Sequence, residues 1–537
     1  MARSLLFAAH ETMATTSNLR FRRTEAQVHA LLGVEREIRA NDHNGSRKYL
    51  KDFSNAFRNY KSVLDEQQLS CAVTHADTVL IGDYHALPAA QRFAASLLEQ
   101  RVQPGDRPVV LGVETIFARD QHILDEWWRR EISEAEFRER IRFDLDWGYD
   151  WAPFYELMQT AREQAEAIYG LDCMPREDLR KIGARDRHAA HKIAEIRQRH
   201  PNAVIVVLFG ESHLAPAHLP GQLREQLPQE RVLTVLQNVD ALYWHAAGEQ
   251  REQVRAVGVS DDVVCVFNAT PLEKYENYRL HLSRWCREAG EGPDLCPTIY
   301  NLMDSLAEFL GINRYSSHNS TQPKFLMDLL PEVYGPSSGD LFRRLLTRGA
   351  FNEAQIAAIA RRVEDRGSVY LPQVNVLYIQ DFRMTYAAEE TARFLHHACQ
   401  GLPHRRKNAP SLDRSGQFYT AVVEHALGYF GSMVLDPSRP AADNENARDL
   451  SRPELSNSEI SRAFCEELAE DSRSDEQIAA NSQDLGYRLG RNLYDLYLAG
   501  KITRGVLRNI FLTHLDVPGN ARELCWKLLG KFRGKLA

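Results

Sequence analysis

Between residues 71 and 285 short apolar runs alternate with amphipathic stretches. The runs at 78–81, 108–113, 204–209, 232–236 and 263–267 are too short for helices and too continuous for half-exposed strands. They predict strands buried on both faces. Between them, apolar residues recur at helical spacing over 89–102 (with Phe93, Leu97 and Leu98), 120–130, 154–169 and 185–199. Pro88 suits a first helical turn. Ser133 and Glu136 have the spacing of a capping box. Gly170 reads as the stop of the third helix, and Pro201 closes the fourth. Strands alternating with helices of ~10–15 residues imply βαβ units, a largely parallel sheet and right-handed crossovers.

Outside this stretch the pattern changes. Residues 1–70 read as a lead-in, helical from Thr24 to Gln68 with an interruption at 41–46 and no visible chemistry. Beyond 285 the strand-like runs fade. Helical spacing at 353–365, 373–397 (stopped by Gly401) and 417–433 predicts a helical region over 286–435. Residues 436–459 are rich in Pro, Asn, Asp and Ser and read as a linker or exposed loop. Residues 460–537 form a helical C-terminal region, with Leu485, Leu489, Leu493 and Leu496 as its apolar stripe. The expected fold class is therefore α/β, a largely parallel sheet flanked by helices at 71–285, followed by a mainly α-helical C-terminal region. That helical part should not extend the sheet.

Composition narrows the functional classes. A net charge of −7 and a pI near 6.3 over 537 residues argue against nucleic acid as a partner. The eight cysteines contain no Cys-x-x-Cys pair, which points to reduced thiols. No run approaches the ~20 apolar residues of a transmembrane segment. The apolar start is closed by His10 and Glu11, unlike a signal peptide. The expectation is a cytoplasmic protein. The composition leaves room for a homo-oligomer, and the helical C-terminal region is a candidate docking surface for another protein.

Chemistry is legible in one place. Gly82-Asp83-Tyr84-His85 and Gly210-Glu211-Ser212-His213 share the pattern Gly-x-x-His, and each follows a strand-like run. The run at 108–113 ends at Glu114. All three thus belong at the carboxyl edge of a parallel sheet, where ligands bind. Two imidazoles and a carboxylate suggest a metal site with an open position, for a divalent ion such as Fe, Mn, Co or Zn. Ligands sharing one ion at ~2 Å must bring their side-chain ends within about 8 Å of one another. Asp83 and Glu211 flank the histidines as a fourth ligand, an acceptor for an imidazole N–H, or a general base. Arg185 can clamp a carboxylate, while Asp186 suits a helix N-terminus. The plainer alternative is two loop histidines and a helix-capping Glu114.

Aromatic residues add a second option. Trp147, Tyr149 and Trp151 alternate in one turn, with Trp127 and Trp128 upstream. They can wall a cleft for a planar ligand, or simply fill core. Tyr84 is a candidate axial ligand for haem iron. His188 and His191 read as a solvated helix face. His396–His397 and Glu424–His425 lack the Glu-x-x-His spacing of bundle metal sites, and 404–407 reads as a solvated basic loop.

Six separated pieces carry a resemblance. They are 81–88 (Ile-Gly-Asp-Tyr-His-Ala-Leu-Pro), 112–121 (Gly-Val-Glu-Thr-Ile-Phe-Ala-Arg-Asp-Gln), 146–151 (Asp-Trp-Gly-Tyr-Asp-Trp), Arg185-Asp186, 210–213 (Gly-Glu-Ser-His) and 266–276. Together they resemble the ChaN family of haem-binding uptake proteins in the Tiki superfamily. The resemblance implies haem or another small-molecule ligand, with iron at the site. Wider relatives, the Tiki proteases and erythromycin-esterase-like proteins, use a Gly-x-x-His/Glu/Gly-x-x-His set for hydrolysis. The chain departs from the family in carrying Asp83 where Glu is usual and in lacking the common export signal. Three functions are therefore carried forward: an iron- or haem-binding protein, a metal-dependent ester or amide hydrolase, and a non-catalytic scaffold.

Overall fold

A computed structural model describes residues 17–41, 48–101, 107–173, 182–250, 252–285, 292–313, 329–348, 351–401, 412–439 and 475–531. These residues group into two compact units. One is Arg36–Trp285, and the other joins the described residues of Met1–Glu35 to those of Cys286–Ala537.

The first unit is built on an eight-stranded sheet. Its strands are β1 (Ser62–Leu64), β2 (Thr78–Asp83), β3 (Val109–Phe117), β4 (Ala167–Asp172), β5 (Val204–Gly210), β6 (Val232–Gln237), β7 (Ala256–Ser260) and β8 (Val263–Val266), in the spatial order β1-β7-β8-β6-β2-β5-β3-β4. β8, β6, β2, β5, β3 and β4 run parallel, and β7 and β1 are antiparallel additions at one edge.

The continuous apolar runs have a direct cause. Alternate residues of each central strand enter two different cores. Val79, Ile81, Val113, Val206 and Leu208 enter one, beside Leu98 and Leu157 from the helices Pro88–Arg101 and Trp151–Gln164. Leu80, Val110, Ile205, Val207 and Phe209 enter the other, beside Ala190, Ile193 and Leu223 from the helices Ile182–Arg199 and Leu219–Gln226. Each such side chain contributes about 1.5–3 kcal/mol by burial. With both faces covered, no polar alternation is required along the strand.

Three strands of this sheet differ from the sequence reading. The lead-in is not helical to Gln68. Its helices are Ser17–Asn41 and Lys48–Ala56, and β1 then pairs with β7 before Asp65 caps a new helix, Glu66–His75, through a capping box with Gln68. Three residues are too few to show a period, and only the partner makes them a strand. Likewise the helix expected over 154–169 ends at Gln164, and 167–172 is β4, paired with β3. Gly170 is therefore no helix stop. A Cβ there would meet the Ile116 and Phe117 carbonyl oxygens at 2.8 and 2.9 Å, so glycine permits the close strand approach. β7 also went unpredicted.

The second unit is mainly helical and does not extend this sheet. Its helices include Cys296–Leu310, Gly339–Arg348, Glu353–Arg366, Met384–Gln400, Arg414–Leu435, Asp475–Leu498, Arg504–Phe511 and Asn520–Lys531. Leu489, Leu493 and Leu496 are buried as expected, and Gly401 ends its helix at φ 85°. The helix expected over 373–397 begins only at Met384. Before it, β11 (Val376–Ile379) pairs antiparallel with β10 (Ser368–Leu371) and parallel with β9 (Glu332–Tyr334). These strands are three or four residues long, and the left-handed Asn375 (φ 53°) turns the β10–β11 hairpin. Among the described residues no helix is long and apolar enough to cross a membrane. Most of the 436–459 stretch and the basic 404–407 loop lie outside the described residues.

The close approach at Gly170 is testable. Gly170→Ala should destabilise the first unit by about 1–3 kcal/mol through overpacking against backbone that cannot move aside. Urea unfolding with an unchanged midpoint would show that β4 does not pack on β3 as described.

Candidate functional site

Four adjacent parallel strands deliver the site residues to one edge. β2 ends in Asp83, with Tyr84 and His85 directly after it. β5 ends in Gly210, and the following 3-10 turn Glu211–Leu214 carries His213. β4 ends in Asp172, and the helix Ile182–Arg199 brings Arg185 and Asp186 in its first turns. Glu114 is placed differently from expectation. It lies within β3, which continues to Phe117, and not just past a strand end.

The three expected ligands do converge. Glu114 Oε2 lies 3.6 Å from His85 Nε2, and Glu114 Oε1 lies 3.9 Å from His213 Nε2. They meet over Gly210. A Cβ at that position would come within 2.9 Å of Glu114 Oε2 and 3.3 Å of His85 Nε2. Gly210 also donates its backbone N–H to Glu114 Oε2.

Each imidazole is fixed from behind by an aspartate. His85 Nδ1 is 2.7 Å from Asp83 Oδ2, and Gln91 Nε2 donates to the other Asp83 oxygen. His213 Nδ1 is 2.5 Å from Asp186 Oδ1, and the Tyr49 hydroxyl donates to Asp186 Oδ2. A carboxylate only accepts, so these contacts put the ring protons on Nδ1 and leave both Nε2 atoms facing Glu114. Asp83 thus acts behind His85, one of the roles considered for it. Asp186 is more than a helix N-terminal acid.

The charge on Glu114 is balanced by Arg185. The guanidinium donates to Glu114 Oε1 at 2.5 Å and, through Nε and Nη2, to Asp172 at 2.9 and 2.6 Å. Burial works to raise the Glu114 pKa. Arg185, the two imidazoles and the Gly210 N–H outweigh it and hold the carboxyl down to about 2. Burial raises that of Asp172 despite Arg185, and the neighbouring Glu114 charge adds to the rise. Arg185 thus clamps this protein's own carboxylates.

Other expected residues go elsewhere. Glu211 does not join the imidazoles. Both its oxygens accept from Lys274 Nζ at 3.0 Å, beside Asp240. Tyr84 lies under Lys274, whose Nζ is 4.6 Å from the ring centre. Burial, then the Glu211 charge, push the Tyr84 hydroxyl pKa well above its ordinary value, which opposes a tyrosinate ligand. Trp147 and Tyr149 do flank His85, at ring distances of 5.2 and 5.4 Å. Tyr149 stacks on His281 at 4.1 Å, and Tyr278 continues the row. Trp151 belongs to the core, packed on Phe143, Phe154 and Tyr155 with its Nε1 donating to Glu134. Trp127 is core too, stacked on Phe137. His191 pairs with Glu195 at the surface, as the solvated reading required, but His188 beside it is half-buried, and burial lowers its pKa.

Four site residues carry no mark in the sequence pattern: Asp172, Tyr49, Gln91 and Lys274. Helical spacing over 154–169 masks β4 and with it Asp172. Gln91, one helical turn past Pro88, carries no cue of its own. Tyr49 has no local signal at all, since its helix Lys48–Ala56 precedes the sheet. Lys274 lay in the quoted 266–276 stretch without a partner to mark it.

Comparison with known proteins bears on this same segment. Residues 69–203 match the family described as haem-binding uptake, Tiki superfamily, ChaN. The chain carries a ChaN-type segment. The match includes Asp83, His85, Glu114, Asp172, Arg185 and Asp186, while Tyr49 precedes it and His213 follows it. A solved structure, "Cofacial heme binding to ChaN of Campylobacter jejuni", is similar at 13% identity and a TM-score of 0.25, over 33% of this chain and 86% of that chain. No curated protein matches. Among the described residues, no three or more His, Cys, Asp or Glu side chains stand in a metal-holding arrangement. At the site, Glu114 is already committed to Arg185 and Gly210.

Removing Arg185 should expose this electrostatic design. Glu114 titrates below its ordinary 4.5 in the folded chain. Its stabilising contribution is therefore fully present above the unfolded value and is lost as pH falls towards about 2. Arg185→Gln should cost about 3–5 kcal/mol near neutral pH by stranding buried carboxylates. The deficit should shrink near pH ~4, where protonation relieves them. A deficit from urea unfolding that is equal or larger in acid would contradict the pairing.

Proposed function

We propose that the Arg36–Trp285 unit is a ChaN-like haem-binding module whose iron-facing groups lie at the carboxyl edge of its sheet. The observation that carries this reading is the pair of Asp-oriented imidazoles. His85 and His213 each have Nδ1 fixed by an aspartate and Nε2 directed to one place. Metal-binding histidines use that outer support to set tautomer and ring orientation. The donor types fit iron: imidazole nitrogen and an ionised carboxylate. Glu114, neutralised by Arg185, is the weakest of the three donors, which favours haem iron over a bare divalent ion. Tyr149 beside His85, with His281 and Tyr278 beyond, is the flat surface that would meet a porphyrin, while Trp147 packs behind His85 in the core. Bound haem would supply ligand-exchange and redox chemistry. The chain's own residues hold the imidazole tautomers and exclude water from Glu114.

The same Asp–His pairs favour a second reading, hydrolysis of an ester or amide. An imidazole held by a carboxylate can take a proton from water or a nucleophile. His213, supported by Asp186 and Tyr49, is the better buried of the two, with 4% of its side chain exposed against 14% for His85.

Haemin titration of the purified chain separates the readings. A saturable Soret shift is expected, weakened by about tenfold or more in His85→Ala and little changed in Tyr84→Phe. No shift, or identical titrations for wild type and His85→Ala, would remove the haem reading. Ester or amide turnover that vanishes in a folded His213→Ala variant would establish the second in its place.

A further inference from the structure

The helical unit buries a second polar cluster. Three helices contribute: Glu353–Arg366 brings Arg362 and Arg366, Met384–Gln400 brings Glu389, Glu390, Arg393 and His397, and Arg414–Leu435 brings Glu424 and His425. Glu389 accepts from Arg366 at 3.2 Å, Arg439 at 2.8 Å and the Tyr487 hydroxyl at 2.8 Å. Glu390 accepts from Arg362 at 2.5 Å, Arg393 at 2.9 Å and the Tyr370 N–H at 2.9 Å. Glu424 sits 3.6 Å from Arg393 and 3.3 Å from His397 Nε2. Four guanidiniums face three glutamates, and buried Asp436 adds its carboxyl beside Arg439.

Several nitrogens of this cluster are left over. Arg362 Nε, Arg393 Nε, His425 Nδ1 and His397 Nδ1 are buried and have no hydrogen-bond partner among the described residues, while His397 Nε2 faces Glu424 at 3.3 Å. Each buried orphan costs about 1–3 kcal/mol, so several in one place call for a ligand. The electrostatics have the same sense. Burial, then the Arg393 charge, lower the Arg362 pKa, and burial with Arg362 and Arg393 pushes that of His425 well below its ordinary value.

We propose that the helical unit holds a small oxyanion, a carboxylate or phosphate group, between Arg362, Arg393 and His425, with His397 at its edge. An oxyanion brings the lone pairs that the Arg362 and Arg393 Nε–H groups need. Guanidiniums match its geometry. Guanidinium N–H groups without an acceptor disfavour a cation. Arg362 and Glu424 keep 21% and 17% of their side chains exposed, which gives a small anion a way in.

The test uses the full chain with inorganic phosphate and acetate as probes, at constant ionic strength against chloride. At least one probe should raise the thermal midpoint saturably. The affinity should fall about tenfold or more in Arg362→Gln but not in Arg361→Gln, an exposed neighbour paired with Glu476. The His425 imidazole resonance of the unmutated chain should shift over the same concentrations, a readout that stands even if Arg362→Gln fails to fold. Chloride matching both probes, with the His425 resonance fixed, would overturn the proposal. So would equal affinities in the two folded variants.

Discussion

A carboxylate buried at the edge of a parallel sheet needs compensation, because an isolated buried charge is far too costly to keep. Glu114 is that carboxylate, and the ion pair with Arg185 is the constraint on which the site depends. The pair requires β4 beside β3, so that Asp172 can share the guanidinium. It requires the first turns of the helix Ile182–Arg199 to enter over that edge. It also requires glycine at 210, where any side chain would intrude on Glu114 and His85. The imidazoles then have a fixed negative partner to face, and Asp83 and Asp186 set which nitrogen faces it.

The parallel core was readable from the sequence because its strands are apolar on both faces and bounded by helix signals. The convergence of His85, Glu114 and His213 followed from that, since parallel neighbours place their carboxyl ends together. What escaped reading was decided by partners. β1, β4 and β7 are short edge or near-edge strands whose residues show no period of their own. Glu211 flanks His213 in sequence, but its turn aims it at Lys274. Tyr49 reaches Asp186 from 137 residues away, a distance no local pattern spans. In the helical unit the helix periods were clear, while the β10–β11 hairpin was absorbed into a predicted helix because four-residue strands fit either period.

The two units handle buried charge in contrasting ways. In the α/β unit Arg185 serves two carboxylates, and the backbone N–H of Gly210 adds a further donor to Glu114. In the helical unit Glu389 is likewise held down to about 2, with burial opposed by Arg439, Arg366 and Arg362, but guanidiniums outnumber glutamates. One unit thus turns two imidazole nitrogens towards a single buried carboxylate. The other leaves buried guanidinium N–H groups without an acceptor among the described residues.

Both site imidazoles are held as Nδ1–H tautomers with Nε2 directed at Glu114. Long-range proton–nitrogen correlation on histidine-labelled protein at pH ~8, above the ordinary imidazole range, reads this directly. A protonated Nδ1 and a bare Nε2 are expected for His85 and His213, with Asp83→Asn disturbing His85 and leaving His213 as it was. Finding the proton on Nε2 in either residue would contradict that assignment.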